Sequence, residues 1–140
     1  MTFEIIESKV TPEIEKEILE EFIQHTIETI GFDGFQRDYT SFEIREDNGE
    51  LIGVCTVKLF FGNLHIKVLL IKKKYRGQGF GTQLINHALQ YAKEQECKFA
   101  FIESMSFQAP EFYKKLGFIV ELKRDGYTGG TSFYYLRKDL

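Results

Sequence analysis

The chain has 140 residues and a formal net charge of −3, with 43% hydrophobic and 28% charged residues. These values fit one folded domain over residues 1–140 and argue against nucleic-acid binding, which favours a basic surface. No apolar run is long enough to cross a bilayer, and acids stand near the N-terminus where a signal peptide has cations. Cys55 and Cys97 match no metal-ligand spacing and no disulfide framework, so we expect a cytoplasmic protein without a bound metal or membrane partner.

The first half of the chain predicts a strand, a helix and three further strands. Loose alternation of apolar residues predicts a strand over residues 2–8. Thr11 and Pro12 are typical of a helix start, and an apolar stripe continues from there to Ile30. Strands are then expected over residues 40–45, 51–61 and 64–72, joined by turns at 47–50 and 62–63. The uniformly apolar run from Val68 to Ile71 predicts a strand that is covered on both faces.

The second half begins with a glycine-rich loop and continues with two helices and three strands. Apolar spacing predicts a helix from the loop to about Glu96, followed by a strand over 98–104. A short helix over 110–116 ends at Gly117, and strands are expected over 118–123 and 132–137. This order predicts an α/β protein with a mixed sheet and helices packed on it.

The glycine-rich loop is the strongest chemical signal in the sequence. Gly77, Gly79 and Gly81 lie between an apolar strand and an amphipathic helix. Glycines allow close approach of a ligand, and the N–H groups at a helix start attract anions, so the loop predicts a pyrophosphate site. The spacing fails the Rossmann pattern, and the lysine and hydroxyl residue of a P-loop are missing. Four cations in the same loop either touch phosphate or form a solvated run; they are Lys72, Lys73, Lys74 and Arg76.

Two segments together resemble the GNAT superfamily of acetyl-CoA-dependent N-acetyltransferases, in particular its small single-domain bacterial members. The first is Arg76-x-x-Gly79-x-Gly81, directly after a strand and opening a helix. The second runs from Ala109 to Phe118 and is similar to the Ala-x-x-Phe-Tyr-x-x-x-Gly-Phe segment of that family. The resemblance implies a mostly antiparallel sheet of about six or seven strands with a splayed parallel pair, flanked by three or four helices.

The resemblance also implies how acetyl-CoA would be held as the cosubstrate. The main chain of Leu69, Leu70 and Ile71 would bind the pantetheine arm like an added strand. Arg76 would line the pyrophosphate loop, whose backbone amides belong to Gly77, Gln78, Gly79, Phe80, Gly81 and Thr82. Ser106 stands where many members have an asparagine, and its hydroxyl would replace that cofactor contact. Tyr113 matches the tyrosine that protonates the departing thiolate in many members, with core packing as the alternative role.

The general base is the least determined part of the predicted site. Amine attack on a thioester is helped by a base, because a primary amine is mostly protonated at neutral pH. Glu103 lies among apolar strand residues that would raise its pKa, although it could instead face solvent or pair with a lysine. His65, on the strand before the glycine loop, is the alternative base.

The favoured function is direct acetyl transfer to the amine of a small molecule in a ternary complex. A macromolecular acceptor is the first alternative: a protein N-terminus, a lysine or an aminoacyl-tRNA. A non-catalytic CoA-binding sensor is the second. Acids along the first helix favour a cationic acceptor but equally suit a solvated helix face. Aromatic residues near the C-terminus could line an acceptor pocket or fill the sheet; they are Tyr127, Phe133, Tyr134 and Tyr135. A homodimer is possible.

Overall fold

The computed structural model describes residues 1–35 and 38–140, and it divides the chain into two compact units, residues 1–35 and 36–140. The first unit contains one α-helix, and the second contains the sheet with the remaining helices. The single-domain organisation stays a prediction.

Helix α1 spans Pro12–Ile30 in the first unit and begins and ends as its sequence predicts. The Thr11 hydroxyl accepts a hydrogen bond from the backbone N–H of Ile14 at 3.2 Å, with Pro12 in the first turn. At the other end Gly31 takes a left-handed conformation, with φ of 85°, and its N–H bonds to the Ile27 carbonyl. Both helix ends are therefore set by local residues.

The strand predicted over residues 2–8 is wrong, because the stretch before α1 has no regular secondary structure. Its apolar residues include the adjacent pair Ile5 and Ile6, which would point to opposite faces of a strand. Such a pattern defines no single apolar face, so it fixes no register for strand pairing.

The second unit is built on a six-stranded mixed sheet, which confirms the predicted fold class. Its strands are β1 (Thr40–Arg45), β2 (Leu51–Phe60), β3 (Asn63–Ile71), β4 (Phe99–Met105), β5 (Ile119–Tyr127) and β6 (Thr131–Asp139). They lie in the order β1-β2-β3-β4-β6-β5. Neighbouring strands are antiparallel except β3 and β4, which form the one parallel pair.

Helices α2 (Phe80–Glu94) and α3 (Pro110–Lys115) share one apolar core with the sheet. The buried face of α2 has the predicted helical spacing and consists of Leu84, Ile85, Ala88, Leu89 and Ala92. These side chains pack with fully buried strand residues such as Val57, Leu64 and Leu136. Together with α1, the described residues form three α-helices, and none of these is long and apolar enough to span a membrane.

Two tight turns fix the register of the β1–β2–β3 meander. Gly49 has a φ of 89° in the first turn, where the sequence predicts it. In the second turn the positive φ values belong to Phe61 and Gly62, at 47° and 80°, so this turn lies one residue before its predicted position. Asn63 instead begins β3, and its side chain accepts hydrogen bonds from the N–H groups of Lys98 and Phe99.

The parallel strands β3 and β4 separate in the middle of the sheet. Their pairing ends at Ile66 and Ile102, and Lys67 forms a β-bulge because Ile66 and Val68 pair with consecutive residues of β2. Beyond this point Val68 and Leu70 are 41% and 46% exposed, so the prediction that this run is covered on both faces is wrong. The apolar residues here line a cleft, which a periodicity argument cannot distinguish from a buried strand.

Candidate active site

A cavity of about 700 Å³ occupies the space where β3 and β4 diverge. Its walls are the second half of β3, the glycine-rich loop with the start of α2, the end of β4, and the segment that contains α3. The polar and charged side chains on the wall include Lys67, Tyr75, Arg76, Thr82, Glu103, Ser104, Gln108 and Tyr113. A mostly apolar cleft with a few converging polar groups is typical of a small-molecule site.

The glycine-rich loop presents the start of α2 to this cavity. Gly77 and Gly79 have φ values of 76° and 86°, in the left-handed region that favours glycine. Gly79 is the N-cap of α2, and no side chain caps the helix. The N–H groups of Phe80, Gly81 and Thr82 have no carbonyl partner within the helix, because they belong to its first turn. The positive end of the helix dipole therefore faces the cavity, as an anion site requires.

Glycine stands at position 81 because of side-chain packing and not because the backbone there needs a positive φ. A Cβ atom added there would lie 3.3 Å from the Phe112 ring, which is tighter than an ordinary van der Waals contact. The absence of a side chain lets α3 approach the start of α2 closely. The two segments that carry the family resemblance therefore meet at this contact and form adjacent walls of the cavity.

Most of the predicted basic cluster does not line the cavity. Arg76 does line it, and its Nε donates to the Ile71 carbonyl at 3.0 Å. Lys74 pairs instead with Glu50, at 2.7 Å between Nζ and Oε1, and lies over the Tyr75 ring. Lys72, Lys73 and Lys74 are all absent from the cavity wall, so the geometry favours the solvated-run interpretation for the three lysines.

Tyr113 packs in the core and also lines the cavity. The residue is 6% exposed and packs edge-on against Phe112 and Phe118, at ring distances of 5.2 and 5.7 Å. Its side chain also lines the cavity, and no described residue hydrogen-bonds to its hydroxyl. Since every fully buried polar side-chain atom in the described chain has a partner, this hydroxyl opens to the cavity. Burial, and then the proximity of Cys55, raise the pKa of Tyr113, so the phenol is protonated at neutral pH.

Glu103 and His65, which the sequence presents as rival bases, are bonded to each other. The distance from His65 Nε2 to Glu103 Oε2 is 2.7 Å. Burial pushes the pKa of Glu103 upward and is the largest single influence, but the His65 hydrogen bond and charge, helped by Lys67, leave it below 4.5. The expectation of a raised pKa is therefore wrong, and the group is a carboxylate at neutral pH.

The structure brings together eleven of the thirteen residues predicted for the site. The cavity wall includes Leu69, Leu70, Ile71, Arg76, Gly77, Gly79, Phe80, Gly81, Thr82, Glu103 and Tyr113. Gln78 and Ser106 are not on it. The Ser106 hydroxyl accepts a hydrogen bond from the Ser132 N–H at 2.9 Å, which ties the loop after β4 to β6. This geometry gives no support to the predicted cofactor contact of Ser106.

Several wall residues were missed by the sequence analysis. They are Lys67, Tyr75, Phe107, Gln108 and Phe112, among others. Phe107 is the most unusual, since it is 71% exposed and lies next to the second resemblance segment. Because the exposure of Phe107 is seen only in the structure, the sequence carried no direct signal for it. Lys67 had no signal either, because its place on the wall follows from the bulge.

The aromatic residues near the C-terminus lie outside this cavity. Tyr127, Phe133 and Tyr135 form a chain of ring contacts, at 6.0 and 5.0 Å between centroids. Tyr135 also lines a second, shallower cavity of about 400 Å³, together with Phe99 and Phe101. This arrangement is part of the sheet surface and does not by itself identify an acceptor.

Comparison with known proteins places the chain in a family. The model of the acetyltransferase (GNAT) family matches residues 6–118. Blasticidin-S acetyltransferase of Streptomyces morookaense is 32% identical over 95 residues, which cover 67% of this chain and 70% of that protein.

Solved structures agree with this placement. The crystal structure of an acetyltransferase from Bacillus cereus superimposes with a TM-score of 0.85 at 30% identity, covering 98% of both chains. The ribosomal-protein-S18-alanine N-acetyltransferase of Escherichia coli shares the fold, with a TM-score of 0.66 at 15% identity over 94% of this chain and 91% of that one. The chain belongs to the GNAT family of acetyltransferases.

Proposed function

We propose that the protein transfers the acetyl group of acetyl-CoA to the amine of a small molecule, by direct attack in a ternary complex. One observation carries the proposal: a single cavity connects the uncapped start of α2, the unpaired side of β3, and the Tyr113 and Glu103 side chains. In this proposal these features would contact the pyrophosphate, the pantetheine arm and the thioester of the cosubstrate, in that order.

The second half of β3 is suited to bind the pantetheine amides. From Val68 to Ile71 the strand pairs with β2 on one side, while its pairing with β4 stops at Ile66. Backbone N–H and C=O groups on the unpaired side therefore face the cavity without a strand partner. Amide groups of the pantetheine arm would supply the missing hydrogen bonds, in the manner of an added strand.

The reaction needs one proton removed and one proton supplied. The neutral amine attacks the thioester carbonyl, the C–N bond forms, and the Glu103 carboxylate takes the proton that the nitrogen loses, directly or through a water molecule. The C–S bond breaks, and the Tyr113 hydroxyl donates its proton to the leaving thiolate. The products are the acetylated amine and free CoA thiol. Tyr113 then recovers a proton from solvent, and Glu103 releases one.

The small-molecule acceptor is favoured over a macromolecular one by the relative with the greater identity. Blasticidin-S acetyltransferase is named for a small molecule and aligns with 67% of this chain at 32% identity, whereas a putative ribosomal-protein alanine N-acetyltransferase of Bacillus subtilis aligns with 59% of it at 29% identity. A negative net charge is also unfavourable for an aminoacyl-tRNA acceptor.

Calorimetry with acetyl-CoA, followed by an amine panel assayed through free CoA thiol, tests the proposal. We expect acetyl-CoA to bind and at least one small amine to release thiol. The panel should include polyamines, nucleoside antibiotics and aminoglycosides, with peptides and aminoacyl-tRNA as competitors for the same assay. Absence of acetyl-CoA binding would overturn the donor assignment. Turnover of peptides or tRNA alone would overturn the acceptor class and leave the donor in place.

A further inference from the structure

We propose that His65 is a positioning residue of the active site, which donates a hydrogen bond to Glu103 and holds that carboxylate ready to accept the amine proton. The inference rests on the proposed function, in which Glu103 acts as the base. In this arrangement two residues that the sequence presents as alternative bases form one acid–base unit with separate roles.

The sheet brings the two side chains together at the point where it opens. His65 is the register partner of Phe101 in the parallel pair, and Glu103 lies two residues further along β4, on the same face. Pairing ends one residue after His65, so Glu103 is directed into the cleft while His65 stays within the paired part of the sheet. Glu103 lines the cavity wall and His65 does not. His65 can therefore act on the reaction only through Glu103.

The imidazole ring is held in one orientation. It stacks on the Phe101 ring with centroids 4.7 Å apart and an interplanar angle of 4°. Phe101 in turn contacts Phe60 and Phe99, at centroid distances of 6.4 and 6.1 Å. A ring fixed in this way loses little conformational entropy when it forms a hydrogen bond. Its Nε2 lies 2.7 Å from the Glu103 carboxylate oxygen. Because an ionised carboxylate only accepts, Nε2 is assigned as the protonated nitrogen.

Low exposure makes this bond effective. The side chains of His65 and Glu103 are 17% and 29% exposed, so water competes little for the contact. Burial acts to raise the pKa of Glu103 and so to favour the protonated form, which cannot accept a proton. The hydrogen bond from His65 opposes that tendency and keeps the group available as a base.

Other charged and titratable groups near the pair lie on four strands of the described chain. On β5, Glu121 pairs with Arg137 at 4.0 Å and lies on the same face as Phe101. On β3, Lys67 is close enough to Glu103 to lower its pKa further. On β6, Tyr135 is the register partner of Glu103, and Arg137 is the partner of Phe101. On β2, Lys58 is the register partner of His65. All of these groups remain in variants that change only His65, so differences between such variants report the His65 contact.

Two substitutions of His65 separate the hydrogen bond from the packing. His65→Phe keeps a ring that can stack on Phe101 but offers no donor, whereas His65→Gln offers an amide donor in place of Nε2. In His65→Phe we expect kcat at neutral pH to fall about tenfold, a fraction of the roughly 100-fold or more that a positioned base contributes. The KM for acetyl-CoA should change by less than about twofold, since no binding contact is lost. His65→Gln should recover most of the lost kcat.

The pH profile gives a readout that a purely structural role would not move. The base must be deprotonated, so activity falls as the pH drops through its pKa, and losing the His65 bond raises that pKa. The acidic limb of kcat should therefore move to higher pH in His65→Phe and return toward the wild-type position in His65→Gln. Ionisation of the amine acceptor affects the pH profile of the wild type and of every variant in the same way. A ¹³C NMR titration of the Glu103 carboxyl should show the same order of pKa values.

The control is His87→Gln, which alters a histidine in edge-on contact with an aromatic ring, Phe42 at 4.6 Å, outside the cavity. It should match the wild type in kcat and pH profile. If Glu103→Gln loses activity while His65→Phe behaves like this control, the positioning role is overturned and Glu103 remains the base. If Glu103→Gln is fully active, both roles are overturned, while acetyl-CoA binding stays as an independent test of the proposed function.

Discussion

Lys74 and Glu50 form an ion pair, 2.7 Å between Nζ and Oε1, that joins the entrance of the glycine-rich loop to the β1–β2 turn. In the next residue, the Tyr75 hydroxyl donates to Glu46 at the other end of the same turn. Glu46 and Glu50 are themselves linked through their backbones. The β1–β2 turn therefore holds the segment that leads into the glycine-rich loop through the Lys74–Glu50 and Tyr75–Glu46 contacts, which we call the brace. The turn itself contributes no residue to the cavity wall.

Weakening this brace should impair cosubstrate binding without affecting the chemical step. Replacing both Glu46 and Glu50 with Gln removes the charges that hold Lys74 and Tyr75, and the loop then samples positions that fit the pyrophosphate less well. We expect the KM for acetyl-CoA to rise about fivefold, with kcat changed by less than about twofold, as for loss of uniform binding. Steady-state kinetics with varied acetyl-CoA measures this. Glu43→Gln, which breaks the exposed pair with Arg45 on β1, is the matched control, and equal effects in both proteins would contradict the prediction.

Removing the Tyr113 hydroxyl should reduce turnover while leaving the fold intact. No described residue hydrogen-bonds to this hydroxyl, and the ring contacts with Phe112 and Phe118 survive in Tyr113→Phe. We expect kcat to fall about 100-fold, because general acid catalysis contributes on this scale, with Tm nearly unchanged. Free-thiol kinetics and thermal unfolding measure the two effects. Tyr91→Phe, at a half-buried tyrosine that contacts Phe42 outside the cavity, should leave kcat unchanged. Wild-type kcat in Tyr113→Phe would remove this residue from the mechanism.

The helices of this fold could be predicted from the sequence, because their ends and buried faces are set by residues that are close together in the chain. Thr11, Pro12 and Gly31 define α1, and the apolar spacing of α2 predicts its buried face residue by residue. The glycine positions likewise predicted the loop that leads into α2, and its role as an anion site stays a prediction. In each case the physical cause lies within one turn or one helix face, so neighbouring residues in the sequence carry the information.

The parts that could not be predicted depend on contacts between distant residues. The divergence of β3 and β4 arises at Lys67, whose bulge is defined only by its pairing with β2. The bond between His65 and Glu103 joins residues 38 positions apart, and it reversed the expected direction of the Glu103 pKa shift. Similarly, the partner of Lys74 lies on a different hairpin. Patterns of apolar and polar residues do not encode which strands become neighbours.

Adding a side chain at Gly79 should weaken pyrophosphate binding by more than its backbone strain alone would cause. Gly79→Ala places an L-residue at a φ of 86°, which costs roughly 1–2 kcal/mol of stability, and it directs a methyl group into open space at the start of α2. Gly126→Ala has a similar strain, at a φ of 95°, in the β5–β6 region outside the cavity.

Both glycine variants should lose similar stability in denaturant unfolding. Only Gly79→Ala should weaken acetyl-CoA binding, by about tenfold or more, because only that backbone has to contact the pyrophosphate. Calorimetric titration with acetyl-CoA measures the difference. Equal affinity in the two variants would mean that the anion site lies elsewhere.

Phe107 should contribute to cosubstrate affinity and little to folding. Its side chain is 71% exposed on the cavity wall, so truncation exposes little new surface in the free protein. A bound cosubstrate would cover the ring, and the apolar area that is then buried favours binding. We expect Phe107→Ala to raise the Kd for CoA about tenfold without lowering Tm. Phe3→Ala, at an exposed phenylalanine before α1, is the control and should change neither quantity. An unchanged Kd in Phe107→Ala would show that the ring stays in solvent.

Acid should destabilise the protein through carboxyl groups that are paired in the folded state. Hydrogen bonds and charge hold the pKa of Glu43 and Glu50 below 4.5 and that of Asp125 below 3.8, through Arg45, Lys74 and Ser132 as first causes. For Glu103, burial acts in the opposite direction but is outweighed by His65.

Because the pKa values of these four groups are lower in the folded state, their ionised forms stabilise the fold. This stabilisation is complete above the unfolded-state pKa and is lost as the pH falls through the folded-state values. Tm should therefore be nearly constant from about pH 7 to 5 and decline below about pH 4.5. Since Glu43 and Asp125 are exposed and Glu50 is only half-buried, 0.5 M salt, at roughly a 4 Å Debye length, should reduce this decline. Thermal unfolding across this range measures it, and a Tm that rises toward acid would contradict the assignment.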